Sequence, residues 1–386
     1  MKNKKICFFS TNRADFNYIY SIFDFFNKKN FFDNYFIYNI KNNNRKILDK
    51  NKKFKKKIIE YQFNFIGNTE ISIIKEMSGF SKIIGKFLSK YKFDFIFLIG
   101  DRYEAHLIAS ISNIYNLPVV HIHGGEITEG SYDDKFRHSI TKLSSIHFTS
   151  NKSYQNRIIQ MGESKKCVFC TGSPTIDFLK NLQFYDREYL SNYFNINFNK
   201  NNILVCYNSI TNNLKKDTDF ENLLTALSDY KNNSNILFSL ANNDINNLEI
   251  NKSIKSFVKK CKPKKNVLFF KDIGSKLFLS LLKEVDVIVG NSSSAIIEAP
   301  YLGTKTINIG DRQKGRLMDN SVFDINGSIL SVRKNLKKIF SMKTNNIKQE
   351  MYYGTGNSIK KMHTIMLNFS NKTNIHKKIF NDLTFK

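Results

Sequence analysis

Five polar clusters in this chain combine residue types that transfer protons or hold phosphate, and each follows an apolar run of strand length. The richest is His121-Ile122-His123-Gly124-Gly125-Glu126-Ile127-Thr128-Glu129-Gly130-Ser131-Tyr132-Asp133-Asp134, then Arg137-His138. Two histidines two positions apart share one face of a strand. Paired glycines let a ligand approach the backbone. His121, His123, Glu126, Glu129, Asp133 and Asp134 in one run suit general acid–base chemistry. A structural reading ranks second, with histidines bonded in a core and Asp133 capping a helix. A His-x-His zinc or manganese site ranks third. The second cluster, Gly100-Asp101-Arg102-Tyr103-Glu104, puts Asp101 at a strand's carboxyl end, as a proton carrier or a helix N-cap.

Three clusters read as anion sites. In Ser10-Thr11-Asn12-Arg13-Ala14-Asp15 a strand-to-helix turn offers backbone N–H groups, and Arg13 can fork onto a phosphate. No GxGxxG is present there, which disfavours a dinucleotide cofactor. In Gly290–Pro300 the hydroxyls of Ser292, Ser293 and Ser294 join helix-terminal amides as a diphosphate cradle. Glu298, one to two turns into that helix, is placed to take ribose hydroxyls. The loop Asn308–Arg316 carries several cations bounded by glycines, Arg312 among them, and reads as a phosphate clamp or a plain basic loop.

The elements that must position these clusters alternate. Strands are expected at Lys5–Phe9, Phe95–Ile99, Pro118–His123, Ile146–Thr149, Val168–Thr171, Ile203–Tyr207, Ile236–Leu240, Val267–Phe270, Val285–Val289 and Thr304–Ile309. Near-continuous Ile, Val, Leu and Phe within them means burial on both faces, as in helix-covered parallel sheets. Helices are expected at Phe16–Phe26, Glu104–Tyr115, Thr218–Tyr230, Ser275–Lys283 and Ala295–Tyr301. The repeated order predicts an α/β fold of two Rossmann-like, doubly wound parallel-sheet domains with a cleft between them. The polar, Asn-rich stretch Ser191–Asn202 marks the restart. Domains are therefore placed at 1–190 and 191–358. The stretch Lys41–Lys57 reads as a basic surface loop or helix, and Asn371–Lys386 as a loosely held tail.

The chain has 386 residues, 35 Phe, 18 Tyr and a formal net charge of +27. That length suits two domains. The charge is spread over Lys52–Lys57, Lys259–Lys265 and Lys377–Lys378 with no recognised nucleic-acid module, so no nucleic-acid partner is expected. No apolar run is long enough to span a membrane, and the first residues make a poor signal peptide, so a cytoplasmic location is expected. Cys167 and Cys170 have CxxC spacing, but on a strand they point to opposite faces, so buried thiols are expected for the five cysteines.

Taken together, GDRYE, HIHGGEITEGSYDDKFRHSITKLS, IIQMGE, GNSSSAIIEAP, TINIGDRQKGR and YYGTGNS at Tyr352–Ser358 resemble the hydrolysing UDP-N-acetylglucosamine 2-epimerases of sialic- and legionaminic-type acid biosynthesis. The resemblance covers most of Phe95–Leu182 and Val285–Gly327, with the first strand and Arg13. It implies a GT-B-like fold, a C-terminal helix within 359–386 crossing back to the first domain, a homo-oligomer (dimer or tetramer) and no metal or cofactor. It implies acid–base roles for Asp101 and Asp133, and UDP contacts from Arg13, Ser292, Ser293, Glu298 and Arg312. The implied reaction is elimination of UDP through a glycal, then hydration to N-acetylmannosamine.

Three positions depart from the family pattern. His123 stands where many members have Glu, which leaves Glu126, His123 and Asp133 as alternatives for the base. Asn208-Ser209 replaces His-Pro after the strand Ile203–Tyr207, at a point where relatives contact the nucleotide sugar; His138 is a further candidate contact. Asn39–Arg45 replaces a Gly-Met-His segment that faces the sugar. The last change motivates a GDP- or UDP-linked 2,4-diacetamido-2,4,6-trideoxyhexose as an alternative substrate. Two readings outside this chemistry stand beside it: a GT-B glycosyltransferase and a nucleotide-sugar binder without catalysis.

Overall fold

The computed structural model describes residues 3–40, 56–65, 69–199, 201–209, 218–241, 247–261, 263, 265–342, 349–369, 375 and 377–382. Two parallel sheets form. The first holds β1 (Lys5–Phe9), β2 (Asp33–Asn39), β3 (Ile58–Tyr61), β4 (Phe95–Ile99), β5 (Val119–Ile122), β6 (Ile146–Thr149) and β7 (Val168–Cys170). Their spatial order is β3-β2-β1-β4-β5-β6-β7. The second holds β8 (Asn201–Cys206), β9 (Ser234–Ser239), β10 (Val267–Phe270), β11 (Val287–Gly290), β12 (Lys305–Ile309) and β13 (Val322–Ile325), in the order β10-β9-β8-β11-β12-β13.

Both orders reverse at one point, between β1 and β4 and between β8 and β11. There the crossover helices go to opposite faces of the sheet and leave a crevice beyond the strands' carboxyl ends. The described residues that follow β1, β4, β8 and β11 begin at Ser10–Asn12, Gly100–Arg102, Tyr207–Ser209 and Asn291–Ser292, so three of the five polar clusters and Asn208-Ser209 converge by topology.

Central strands are buried throughout: Phe95–Ile99 is buried at all five positions, as the apolar run requires. Three strands lack such a run. β2 reads DNYFIYN, β3 reads IIEY and β13 reads VFDI, so periodicity does not single them out. Tyr38 donates to Glu60 at 2.6 Å between β2 and β3. The first core is aromatic, with Phe8 against Phe97 at 4.7 Å and Phe26 at 5.2 Å between ring centroids. Each such pair adds about 0.5–1.5 kcal/mol beyond its burial.

The helix Ser358–Phe369 buries Ile359, Met362, Met366 and Phe369 in this first core. Its N-terminus is capped in space by Asp177, whose carboxylate accepts from Ser358 N at 2.9 Å and Ile359 N at 3.2 Å. The chain thus returns from the second sheet to the first.

The structure corrects two expectations. Within the expected loose tail, the described residues 377–382 are held: Lys378 Nζ donates to the carbonyls of Thr141, Lys142 and Ser144 at 3.3, 2.6 and 2.7 Å. It also pairs with Glu163 at 2.8 Å, and Asn381 N donates to Gly162 O at 2.9 Å. A buried carboxylate and a helix end with open carbonyls explain why a Lys-rich segment docks. Of the thiols expected to be buried, Cys170 is exposed on β7, the outermost strand of its sheet, and Cys167 just before that strand is half-buried. The region 41–55, which holds most of the expected basic loop and the replaced sugar-facing segment, lies outside the described residues. No helix among the described residues is long and apolar enough to cross a membrane.

Candidate active site

The crevice between the sheets is a cleft of about 710 Å³, lined from the first sheet by Arg13, Asp101, Arg102, His123, Glu126 and Arg137, among others. The second sheet contributes Lys271, Asp272, Ser293, Glu298 and Arg316.

Its floor is built on the loop after β5 and the helix Asp133–Leu143. Strand β5 ends at Ile122, and His123 takes a left-handed backbone with φ +68°. The face shared by residues two apart therefore stops applying, and the two histidines find separate partners. His121 is fully buried, within 2.8 Å of Gly100 O through Nε2 and 3.3 Å of Thr141 Oγ1 through Nδ1. Burial pushes its pKa down to about 3, so it is a neutral ring that fixes the backbone next to Asp101. Gly125, at φ +79°, lets the loop pass Tyr154, because a Cβ there would stand 2.4 Å from the Tyr154 carbonyl oxygen.

His123 Nδ1 lies 2.5 Å from Glu126 Oε1, and Glu126 Oε2 lies 3.0 Å from Arg316 Nη2. Glu126 is 1% exposed. Burial opposes its ionisation, but Arg316 and His123 outweigh it and hold the pKa down at about 2. On the next turn, buried Arg137 binds Asp101 through Nη2 and Asp134 through Nη1 at 2.9 Å. Burial likewise opposes the ionisation of Asp101, and Arg137 and Arg316 hold it below the usual carboxylate range. Asp101 keeps 24% side-chain exposure and opens on the cleft.

The opposite wall is built at the end of β11. Gly290 passes so close to β8 that a Cβ would meet Cys206 O at 2.0 Å. Ser292 then caps a single 3-10 turn, Ser293–Ala295, accepting from Ser294 N at 3.4 Å, and the α-helix begins only at Glu298. Of the three serines, Ser293 lines the cleft. Glu298 is buried; its Oε1 accepts from Tyr18 at 2.8 Å, and its Oε2 has no partner among the described residues. Burial raises its pKa.

Asp101, His123, Glu126, Arg13, Ser293 and Glu298 thus line one cleft. The remaining candidates stand outside that lining. Asp133 accepts from Ser131 Oγ at 3.0 Å at the start of its helix, and its neighbour Asp134 makes the Arg137 contact instead. His138 lies 3.4 Å from Asp134 on the same helix. The Ser292 hydroxyl caps the turn, and Ser294 gives its backbone N–H to that cap. Arg312 donates to Asn291 O at 3.0 Å, and Asn208 has its backbone held by Asn291 on both sides at 2.8 Å. The amides after β1, expected to be open to an anion, are filled by Asp15. It accepts from Thr11 N at 3.0 Å and from the Ser10 and Thr11 hydroxyls at 2.6 Å each. Arg13 pairs with Asp272 at 2.5 Å.

Sequence reasoning quotes Arg137 in the richest cluster but gives it no role, and it does not single out Arg316, Tyr18 or Ser173. Arg316 carries a local signal, a cation following Gly315 on the basic loop. Ser173 carries none, because its partner His123 is distant in sequence. Among the described residues no three His, Cys, Asp or Glu side chains are arranged to hold a metal ion.

Residues 31–367 match the family described as UDP-N-acetylglucosamine 2-epimerase. The chain belongs to that family. It is 38% identical over 256 residues to the GDP/UDP-N,N'-diacetylbacillosamine 2-epimerase (hydrolyzing) of Campylobacter jejuni, covering 66% of each chain. It is 34% identical over 269 residues to the polysialic acid biosynthesis protein P7 of Escherichia coli, covering 70% of this chain and 67% of that one. The match spans about two thirds of the length of these relatives. Among solved structures, the UDP-GlcNAc 2-epimerase of Neisseria meningitidis bound to UDP-GlcNAc superposes with a TM-score of 0.76 at 18% identity, covering 95% of this chain and 100% of that one. That of Methanocaldococcus jannaschii with UDP-GlcNAc and UDP gives 0.75 at 18%, covering 94% and 99%. The epimerase family's GT-B-like pair of parallel-sheet domains is therefore the fold of this chain.

Proposed function

We propose that this chain is a hydrolysing 2-epimerase acting on a nucleoside-diphosphate 2-acetamido sugar. The observation that carries this reading is the floor of the cleft. Asp101 is held ionised by Arg137, and His123 stands against Glu126 and Arg316, facing Ser293 and Glu298 across the cleft. Inversion at C2 removes a proton from one face and returns one to the other, so two proton carriers are required. Asp101 and the His123–Glu126 pair take these parts, the pair through the proton between them. Arg316, 3.0 Å from Glu126, holds the charge and orientation of that pair. The departing diphosphate carries negative charge, which Arg13, Lys271, Ser293 and Arg316 are placed to meet. Oε2 of Glu298 takes a ribose hydroxyl.

One observation favours a 2,4-diacetamido-6-deoxy sugar over N-acetylglucosamine. With the nucleotide against the second sheet, the sugar ring lies towards the first. Phe63, Asn64 and Phe65, which follow β3, line the cleft on that side. Half-buried rings suit a methyl and an acetamido group better than two hydroxyls, which need polar partners.

Both UDP-sugars are incubated with the protein in deuterated water and followed by proton NMR. Release of UDP with deuterium at C2 of the freed 2-epimer is expected, faster with the diacetamido sugar. Retained hydrogen at C2, or sugar transfer to an added acceptor, would exclude the epimerase reading.

A further inference from the structure

Ser173 lies just after β7, one residue before the helix Pro174–Lys180, and is 1% exposed. Its Oγ accepts from Thr175 N at 3.1 Å and lies 2.9 Å from His123 Nε2. A buried hydroxyl has one proton and must place it on an acceptor. Among the described residues, the acceptor in reach of Ser173 Oγ is His123 Nε2. Nε2 therefore carries the lone pair, and the ring's proton sits on Nδ1, directed at Glu126 Oε1 2.5 Å away. Glu126 is kept as an acceptor by Arg316 at 3.0 Å.

The same serine also touches the returning chain. Ser173 N donates to Tyr353 O at 2.7 Å, and Tyr353 Oη donates to Leu317 O at 3.2 Å, next to Arg316. Ser173, His123, Glu126, Arg316, Leu317 and Tyr353 thus close a ring of contacts that joins the two sheets around the cleft. A left-handed His123 backbone is sustained only where its surroundings over-determine it, and this ring does so.

We propose that Ser173 is a positioning residue that holds His123 as its neutral Nδ1–H tautomer against Glu126. This rests on the reading of the His123–Glu126 pair as a proton carrier, but part of its test does not depend on turnover. The full chain is labelled with ¹⁵N-histidine, and the His123 ring signals are assigned by their loss in His123→Gln. In the unsubstituted protein at neutral pH, a protonated Nδ1 and an unprotonated Nε2 are expected. In Ser173→Ala the ring populates both tautomers, and kcat falls about tenfold, the worth of one hydrogen bond, with KM nearly unchanged. Ser173→Thr, which keeps the hydroxyl, restores both the signature and the rate.

A protonated Nε2 in the unsubstituted protein overturns the proposal, and that spectrum decides the matter even if Ser173→Ala does not fold. An unchanged tautomer and rate in a folded Ser173→Ala also overturn it. Absence of turnover in the unsubstituted protein, with the expected spectrum, would sink the epimerase reading alone.

Discussion

Arg316 shows how one side chain does two jobs at the cleft. It neutralises a fully buried carboxylate, Glu126, and leaves Nε and Nη1 without partners among the described residues. Arg316→Met removes the countercharge from a carboxylate that is only 1% exposed. A loss of about 3–5 kcal/mol is expected in denaturant titration. The acid limb of stability follows from the same electrostatics. Glu126 and Glu163 are both held at about 2, from an ordinary 4.5. Burial opposes ionisation at each. Arg316 and His123 outweigh it at Glu126, and His147, Lys142 and Lys378 at Glu163. Folding thus favours the charged forms: their contribution is complete above about pH 4.5 and is lost as the pH falls towards 2. Glu163→Gln is expected to lower the melting temperature at neutral pH. It should also flatten the further fall between about pH 5 and about pH 3, read by thermal melts.

The helix Asp133–Leu143 is the element that the floor depends on, because Arg137 on its buried face binds Asp101 and Asp134. Its acidic first turn and its capped last turn both agree with the helix dipole. The cap is Lys378, from far along the chain, which also neutralises Glu163. Lys378→Met should cost about 1.5–3 kcal/mol, the range for hydrogen bonds to a charged group, measured by denaturant unfolding. An unchanged stability would mean that the segment 377–382 lies on the surface without holding the helix. The residue pattern marks this helix's charged residues as a cluster but gives no sign of its cap, because nothing local connects Lys378 to Thr141.

At the scale of the whole molecule, the helix Arg13–Lys29 of the first domain crosses the cleft in three contacts. Arg13 meets Asp272 at 2.5 Å, Asn17 meets Ser275 at 2.6 Å, and Tyr18 meets Glu298 at 2.8 Å. The last contact aims a buried carboxylate whose other oxygen has no partner among the described residues. Tyr18→Phe should therefore weaken UDP binding by about tenfold in calorimetry, as expected for loss of a hydrogen bond to a charged group. Unchanged affinity would show that Glu298 does not need the first domain to be aimed.

The two parallel sheets, ten of their thirteen strands and the clusters at the strand ends were legible in the residue pattern. Burial on both faces writes an uninterrupted apolar run, and topology carries the loops after such runs to the crevice. β2, β3 and β13 were hidden because mixed polar and aromatic strands write no such run. Which residues of each cluster face the cleft was decided by tertiary structure alone. Arg316 lines it rather than Arg312, and Ser293 rather than Ser292 or Ser294, because one residue's rotation in a tight turn changes the direction of a side chain. Pairings such as Ser173 with His123 and Lys378 with Glu163 have no periodicity to betray them. They exist only where the fold brings distant segments within hydrogen-bond reach.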